Sequence, residues 1–330
     1  MNPSQREQAC RICTSTTKSA AYEAKEMMFG TRERFSYLQC SHCGCLQIAD
    51  IPQDLPRYYP RSYYSPIATS PKRDGALRTM LRHVRDRSTA MGIGGFLGKA
   101  LARVYPNTLL ELVRRAGLNP SSRVLDVGCG GAGLLRSLAD LGVTDVLGID
   151  PFVDADIVYA NGATIRRQQL DQVTGKWDII MFNHSLEHMP GQVQVMRTAA
   201  ELLAPAGTCL VRIPTVSSLA WQTYHQHWVQ IDAPRHLYLH SRRSIAILAG
   251  KAGLEVSLIV DDSTAFQFWG SEQVKRNIAT YEESSLLRQN GTSTFSRKAL
   301  RYYERRAARL NADGIGDQAA FFLRRIDQYA

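Results

Sequence analysis

The chain has 330 residues, 44% of them hydrophobic and 21% charged, with 24 Gly and 13 Pro. That is an ordinary globular composition, which excludes a disordered, fibrous or collagen-like chain. Forty Lys+Arg against thirty Asp+Glu give a formal charge of +10, favouring acidic partners without choosing among phosphorylated metabolites, nucleic acid or an anionic membrane surface. No apolar run reaches the roughly 18–20 residues of a membrane span.

Residues Met1 to Lys18 are polar and lack the apolar core of a secretory signal, so a cytoplasmic location is expected. Five of the seven cysteines, Cys10, Cys13, Cys40, Cys43 and Cys45, lie in the first 45 residues. In a reducing compartment, paired C-x-x-C knuckles read as a metal site. Cys10, Cys13, Cys40 and Cys43 are the expected ligands of a structural zinc, with Cys45 or His42 as substitutes for one of them. Four protein ligands leave the metal no open position. Ribbon strands are expected at Ala20–Met28 and Arg34–Gln39. A Pro/Tyr-rich connector follows from Ile51 to Pro66, and its aromatics beside prolines suit a segment docked along a surface.

From Pro71 to Gly117 the pattern turns helical, with helices expected at Ala76–Arg87, Phe96–Ala102 and Thr108–Ala116. Met91 to Phe96 lacks the preceding strand and Lys-Ser/Thr pair of a phosphate loop, and reads as a turn between helices. From Arg123 strands and helices alternate, the grammar of a parallel sheet covered on both faces. Strands are expected at Arg123–Val127, Asp145–Ile149, Thr164–Arg167, Trp177–Phe182, Thr208–Ile213, Glu255–Val260 and Ala265–Trp269. Helices are expected near Gly133–Leu141, Gln192–Leu203 and Ser241–Ala252. Beyond Gly270 the chain reads as basic amphipathic helices, clearest at Phe295–Leu310 and Ala319–Asp327. The basic runs Lys72 to Arg87 and Arg297 to Arg309 read as solvated helix faces, and Cys129 and Cys209 as small core residues.

Val124 to Leu135 runs from a buried strand through a glycine turn into a helix. The glycines let backbone approach a ligand, and the helix start offers free amides. Asp126 at the strand end would repel a pyrophosphate but suits a cationic amino-acid group. Asp150, ending the next strand, can accept from both hydroxyls of a ribose. A ligand with adenosine and a positively charged amino-acid tail meets both demands.

On these residues the segment from Arg123 to Val260 resembles the class I S-adenosylmethionine-dependent methyltransferases. The resemblance is carried further by Trp177 to His188, ending in Leu186-Glu187-His188, and by Leu202-Leu203-Ala204-Pro205-Ala206-Gly207 before the fifth strand. It implies that Asp126, Gly128, Gly130 and Asp150 hold the cofactor, with Ala132 at the family's third glycine and Pro151, Asn183 and His184 nearby. The Cys43-Gly44 pair and the tyrosines up to Tyr64 are similar to the N-terminal zinc-binding domains of bacterial sugar-modifying methyltransferases. The expected architecture is therefore α/β. It comprises a zinc ribbon over residues 1–60, a linker and helical cap over 61–118, a doubly wound seven-stranded methyltransferase sheet over 119–270, and a helical extension over 271–330.

His184 and His188 also spell H-x-x-E-H, but that hydrolase motif requires a continuous helix, for which the strand end at Phe182 and Pro190 leave little room. Methyl transfer needs positioned reactants and, for a hydroxyl acceptor, a base near neutral pKa. The candidates are His236, on the crossover expected above the ligand edge of the sheet, then His184 and His188, with Arg235 orienting an anionic acceptor group. The expected acceptor is a small molecule or glycan, methylated on oxygen. An RNA or protein methyltransferase, and a cofactor-binding scaffold without catalysis, are the alternatives. Nucleic acid is disfavoured because the ribbon shows no basic, aromatic-laced pattern.

Overall fold

A computed structural model describes residues 5–6, 8–59, 75–288 and 294–326. Most of the tyrosine-rich exit from the ribbon, from Pro60 to Tyr64, lies outside the described residues, as do Lys72 at the head of the first basic run and Asp327. Among the described residues no helix is long and apolar enough to cross a membrane.

Among the described residues the main sheet has eight strands: β5 (Arg123–Val127), β6 (Asp145–Ile149), β7 (Ile157–Val158), β8 (Thr164–Arg166), β9 (Trp177–Asn183), β10 (Leu203–Pro214), β12 (Leu254–Asp261) and β13 (Gln318–Arg325). Their spatial order is β12-β13-β10-β9-β5-β6-β8-β7. β8, β6, β5, β9 and β10 run parallel, while β13 is antiparallel to both its neighbours. Six of the seven expected strands are present, and two that were not expected, the two-residue edge strand β7 and β13, complete the eight.

Strand periodicity sends successive side chains to opposite faces, and each face carries its own core. Ile179 and Met181 enter one core with Leu110, Val113 and Leu135. Ile180 and Phe182 enter the other, which is continuous with the cysteine cluster. Helices Gly133–Asp140, Gln192–Leu202 and Arg242–Lys251 cover the sheet near the expected places.

Two C-terminal expectations are corrected. Ala265–Trp269, expected as a strand, lies at the start of the helix Phe266–Lys275, and Ala319–Asp327, expected as a helix, overlaps the strand β13, which lies between the edge strand β12 and β10. Ala319, Phe321 and Leu323 face one core while Ala320 and Phe322 face the other, so the run from Ala319 to Leu323 is apolar and shows no alternation to read. The sheet thus recruits a strand from the stretch expected to be a helical extension, after a segment that includes the helix Arg297–Ala312.

The N-terminal region forms a second sheet, with β1 (Gln5–Arg6), β2 (Ser19–Lys25), β3 (Arg34–Gln39) and β4 (Leu46–Ile48). Its fifth strand is β11 (Tyr238–Leu239), which pairs with β4 through Tyr238↔Gln47 and Leu239↔Leu46. The segment that crosses over the main sheet after β10 is therefore a strand of the ribbon. Tyr37 Oη donates to the carbonyl of His236 at 2.9 Å, and Lys251 Nζ donates to that of Ile12 at 2.6 Å.

Candidate active site and metal centres

The carboxyl ends of β5, β6 and β9 meet at one edge of the sheet. Val127 ends β5, and Gly128 turns with φ +73°, a region that disfavours residues with a Cβ. A Cβ at Gly128 would lie 2.6 Å from that of Ser185, so the turn following β5 and the turn following β9 are in direct contact. Ser185 Oγ donates to the carbonyl of Val127 at 2.5 Å. Gly130, also at positive φ, donates its amide to Asp150 Oδ2 at 3.1 Å, and the Phe152 amide donates to Oδ1 at 2.9 Å. Ala132 is the left-handed residue that opens the helix Gly133–Asp140. Pro151 is exposed in the turn after β6.

Asp126 is buried, and its Oδ1 has no hydrogen-bond partner. Burial, and then the charge of Asp150, push its carboxyl up to about 7. An unpaired buried carboxylate oxygen is costly unless something positive sits beside it. Asp150 is raised in the same sense by burial, partly offset by its two amides.

At the end of β9, Asn183 Oδ1 accepts from Arg212 Nη1 at 3.0 Å, and Arg212 in turn pairs with Asp262. His184 sits at φ +54° with its side chain 35% exposed, its Nδ1 3.4 Å from Glu187 Oε1. Leu186–His188 is a single 3₁₀ turn, so the continuous helix required by a hydrolase motif is absent. His188 Nδ1 lies 2.9 Å from the Arg235 carbonyl and 3.1 Å from Tyr59 Oη. Burial, then the neighbouring His236, hold His188 down at about 4, hence neutral. The His188 and His236 rings meet edge to face with centroids 4.7 Å apart.

The structure brings His184, His188 and His236 around one acid that sequence reasoning treated only as part of a motif. Glu187 is fully buried. Burial works to raise its carboxyl, but His184, then His188 and His236, outweigh it and hold the group at about 2. An acid set between two histidines, His184 and His188, in the short turn after β9 is the signal that could have singled it out.

The expected role of Arg235 is corrected. Its side chain is fully buried, with Nη1 on the Tyr58 carbonyl at 3.0 Å, Nη2 on Glu26 at 3.0 Å, and Nε on Asp232 at 3.0 Å. Its charge is taken up by Glu26 and Asp232 in the interior and it has no exposed surface to offer an acceptor, so Arg235 positions the crossover.

Residues 101–258 match the family model described as a methyltransferase domain. This segment of the chain is a methyltransferase domain. Over 120 residues the chain is 34% identical to the ubiquinone biosynthesis O-methyltransferases of Escherichia coli O157:H7 (strain EC4115 / EHEC) and of Shigella boydii serotype 18, which covers 33% of this chain. The chain spans about half the length of these curated relatives, 50% in each case. Among solved structures, the magnesium protoporphyrin IX methyltransferase of Synechocystis PCC 6803 with bound SAH is 17% identical, covering 64% of this chain and 92% of that one. Its TM-score of 0.39 is too low to bear on function.

Outside the methyltransferase domain, the ribbon brings Cys10, Cys13, Cys40 and Cys43 together, one sulfur from each and all within 4.8 Å of one another. Cys10 to Cys43 and Cys13 to Cys40 are each 3.6 Å apart, and no disulfide joins them. A tetrahedron with metal–sulfur bonds of about 2.3 Å has edges of about 3.8 Å, so the four thiols are compatible with zinc. Cys45 is buried beside them and His42 turns to Arg243 at 3.2 Å; neither belongs to the group. Glu187, His188 and His236 form a second group of three potential ligands.

Proposed function

We propose that the chain is an S-adenosylmethionine-dependent methyltransferase that methylates an oxygen of a small-molecule or sugar-containing acceptor, with one structural zinc on Cys10, Cys13, Cys40 and Cys43. The observation that carries this reading is the unpartnered Oδ1 of Asp126 beside the Gly128–Gly130 turn. A cationic amino-acid group fits there, and the carboxylate of Asp150, with each oxygen already fixed by one backbone amide, keeps lone pairs for two ribose hydroxyls.

When bound, S-adenosylmethionine supplies an electrophilic methyl group. The acceptor oxygen forms the new C–O bond as the C–S bond breaks, and its proton must leave. His236 was the first expectation for the base. Its side chain is 8% exposed, however, with Nδ1 at 2.7 Å from the Gln230 carbonyl and Nε2 facing Glu187 and Asp232 at 3.9 Å each. His184 is the more exposed imidazole beside the same turn, backed by Glu187, and we assign the proton to it. Tyr59, against His188 and stacked on Phe152 with ring centroids 6.4 Å apart, closes the site from the connector side.

Calorimetry with S-adenosylhomocysteine tests the cofactor site. Asp150→Ala should weaken binding by about 10-fold or more, since hydrogen bonds to a charged acceptor are lost. Unchanged affinity would move the cofactor elsewhere. Turnover with methyl-labelled cofactor against nucleotide sugars, phenolic metabolites, glycans and RNA tests the acceptor class. His184→Ala should lower turnover by about 100-fold with little change in cofactor affinity.

A further inference from the structure

Glu187 poses a problem that the methyl-transfer site does not solve. Both carboxylate oxygens are buried, and neither has a hydrogen-bond partner. Its ion-pair contacts are His184 Nδ1 at 3.4 Å and His236 Nε2 at 3.9 Å, and neither makes a hydrogen bond to it. A buried carboxylate without donors is strongly disfavoured unless something positive sits beside it.

The neighbouring imidazoles are arranged to receive that charge. His236 Nδ1 contacts the Gln230 carbonyl at 2.7 Å, and His188 Nδ1 contacts the Arg235 carbonyl at 2.9 Å. A carbonyl can only accept, so each Nδ1 carries the hydrogen. In a neutral ring the lone pair is then left on Nε2. Metal-binding histidines are held in this way, the other ring nitrogen donating to a backbone carbonyl that fixes tautomer and ring orientation. One donor atom each from Glu187, His188 and His236 falls within 4.8 Å of the others, and the three side chains come from two segments, the turn after β9 and the crossover held by the ribbon.

We propose that Glu187, His188 and His236 bind a divalent first-row transition-metal cation. Two imidazoles and one carboxylate suit such ions, and three protein ligands leave coordination positions open. A hydroxyl bound there would lose its proton more readily. That role rests on the methyl-transfer reading, whereas the binding site itself does not.

The test uses the whole chain with its ribbon loaded with zinc, titrated with Mn2+ and separately with Co2+. Loss of the free Mn2+ resonance reads the first, and visible absorption from nitrogen and oxygen ligands, free of thiolate charge transfer, reads the second. About one equivalent should bind, and both Glu187→Gln and His236→Ala should weaken binding at least about 10-fold. A fold lost in one variant leaves the other, and His188→Asn, to decide. Binding of neither ion to the wild type, or undiminished binding in the variants that fold, overturns the site. A chain that binds S-adenosylhomocysteine but no second metal loses only the metal site. One that binds Mn2+ but no cofactor loses only the methyl-transfer reading.

Discussion

The Glu26 carboxylate, in the loop after β2, meets the Arg235 guanidinium at 3.0 Å across 209 residues of chain, and both side chains are fully buried. Glu26 also accepts the amides of Met28, Phe29 and Thr31 at 2.9–3.0 Å. One carboxylate thus shapes a ribbon loop and anchors the segment that carries His236.

Removing one side of such a pair strands the other charges in low dielectric. Arg235→Ala leaves Glu26 and Asp232 buried together, and should cost about 3–5 kcal/mol of stability. Denaturant unfolding measures this. A loss of stability below 1 kcal/mol, roughly the value of an exposed pair, would show that Arg235 does not anchor the crossover.

The ribbon should fail together with the catalytic half. Because β11 completes the ribbon sheet by pairing with β4, stripping zinc should release the crossover as well as the knuckles. Cys10→Ser or Cys40→Ser should abolish stoichiometric zinc, seen by elemental analysis, and lower the melting temperature of the whole chain in a single transition. An unchanged melt with the zinc gone would separate the two units.

Gly128 tests how tightly the turns after β5 and β9 are joined. At φ +73°, and with a Cβ there only 2.6 Å from that of Ser185, Gly128→Ala meets both backbone strain and a collision. It should destabilise the fold by roughly 1–3 kcal/mol and abolish measurable S-adenosylhomocysteine binding. Gly133 has open space at its Cβ and lies inside the helix that begins there. Gly133→Ala should leave both stability and binding nearly intact.

The parallel half of the sheet was legible because its strands are short apolar runs punctuated by glycine, with Asp126 next to last in β5 and Asp150 one residue beyond β6. The C-terminal end was not. Phe266, Phe268 and Trp269 look like strand residues, yet they start a helix packed under the crossover, and β13 carries Ala319, Ala320 and Phe321 with no polar alternation because both its faces are covered. The residue types of the site were readable, but burial was not. Nothing local to Pro234-Arg235-His236 shows that Arg235 would be taken by Glu26, whose position depends on tertiary packing.

Asp126 supplies the pH dependence. With its carboxyl pushed up to about 7 by burial and by Asp150, the bare protein holds a proton there in mildly acid solution, while a cationic amino-acid group demands the carboxylate. Binding must therefore expel the proton. Affinity for S-adenosylhomocysteine should fall roughly 10-fold for each pH unit below about 7 and level off above it. Calorimetry in two buffers of different ionisation heat should register proton release on binding, provided the ligand's own amino group stays protonated. The stability of the bare protein runs the other way. A folded pKa above the unfolded value means that the contribution of neutral Asp126 is complete below the unfolded value near 4 and is lost as pH rises through about 7. Asp126→Asn should flatten both profiles and weaken binding at pH 8. A wild-type affinity that does not change between pH 6 and pH 8 would show that this carboxylate does not meet the cationic end of the cofactor.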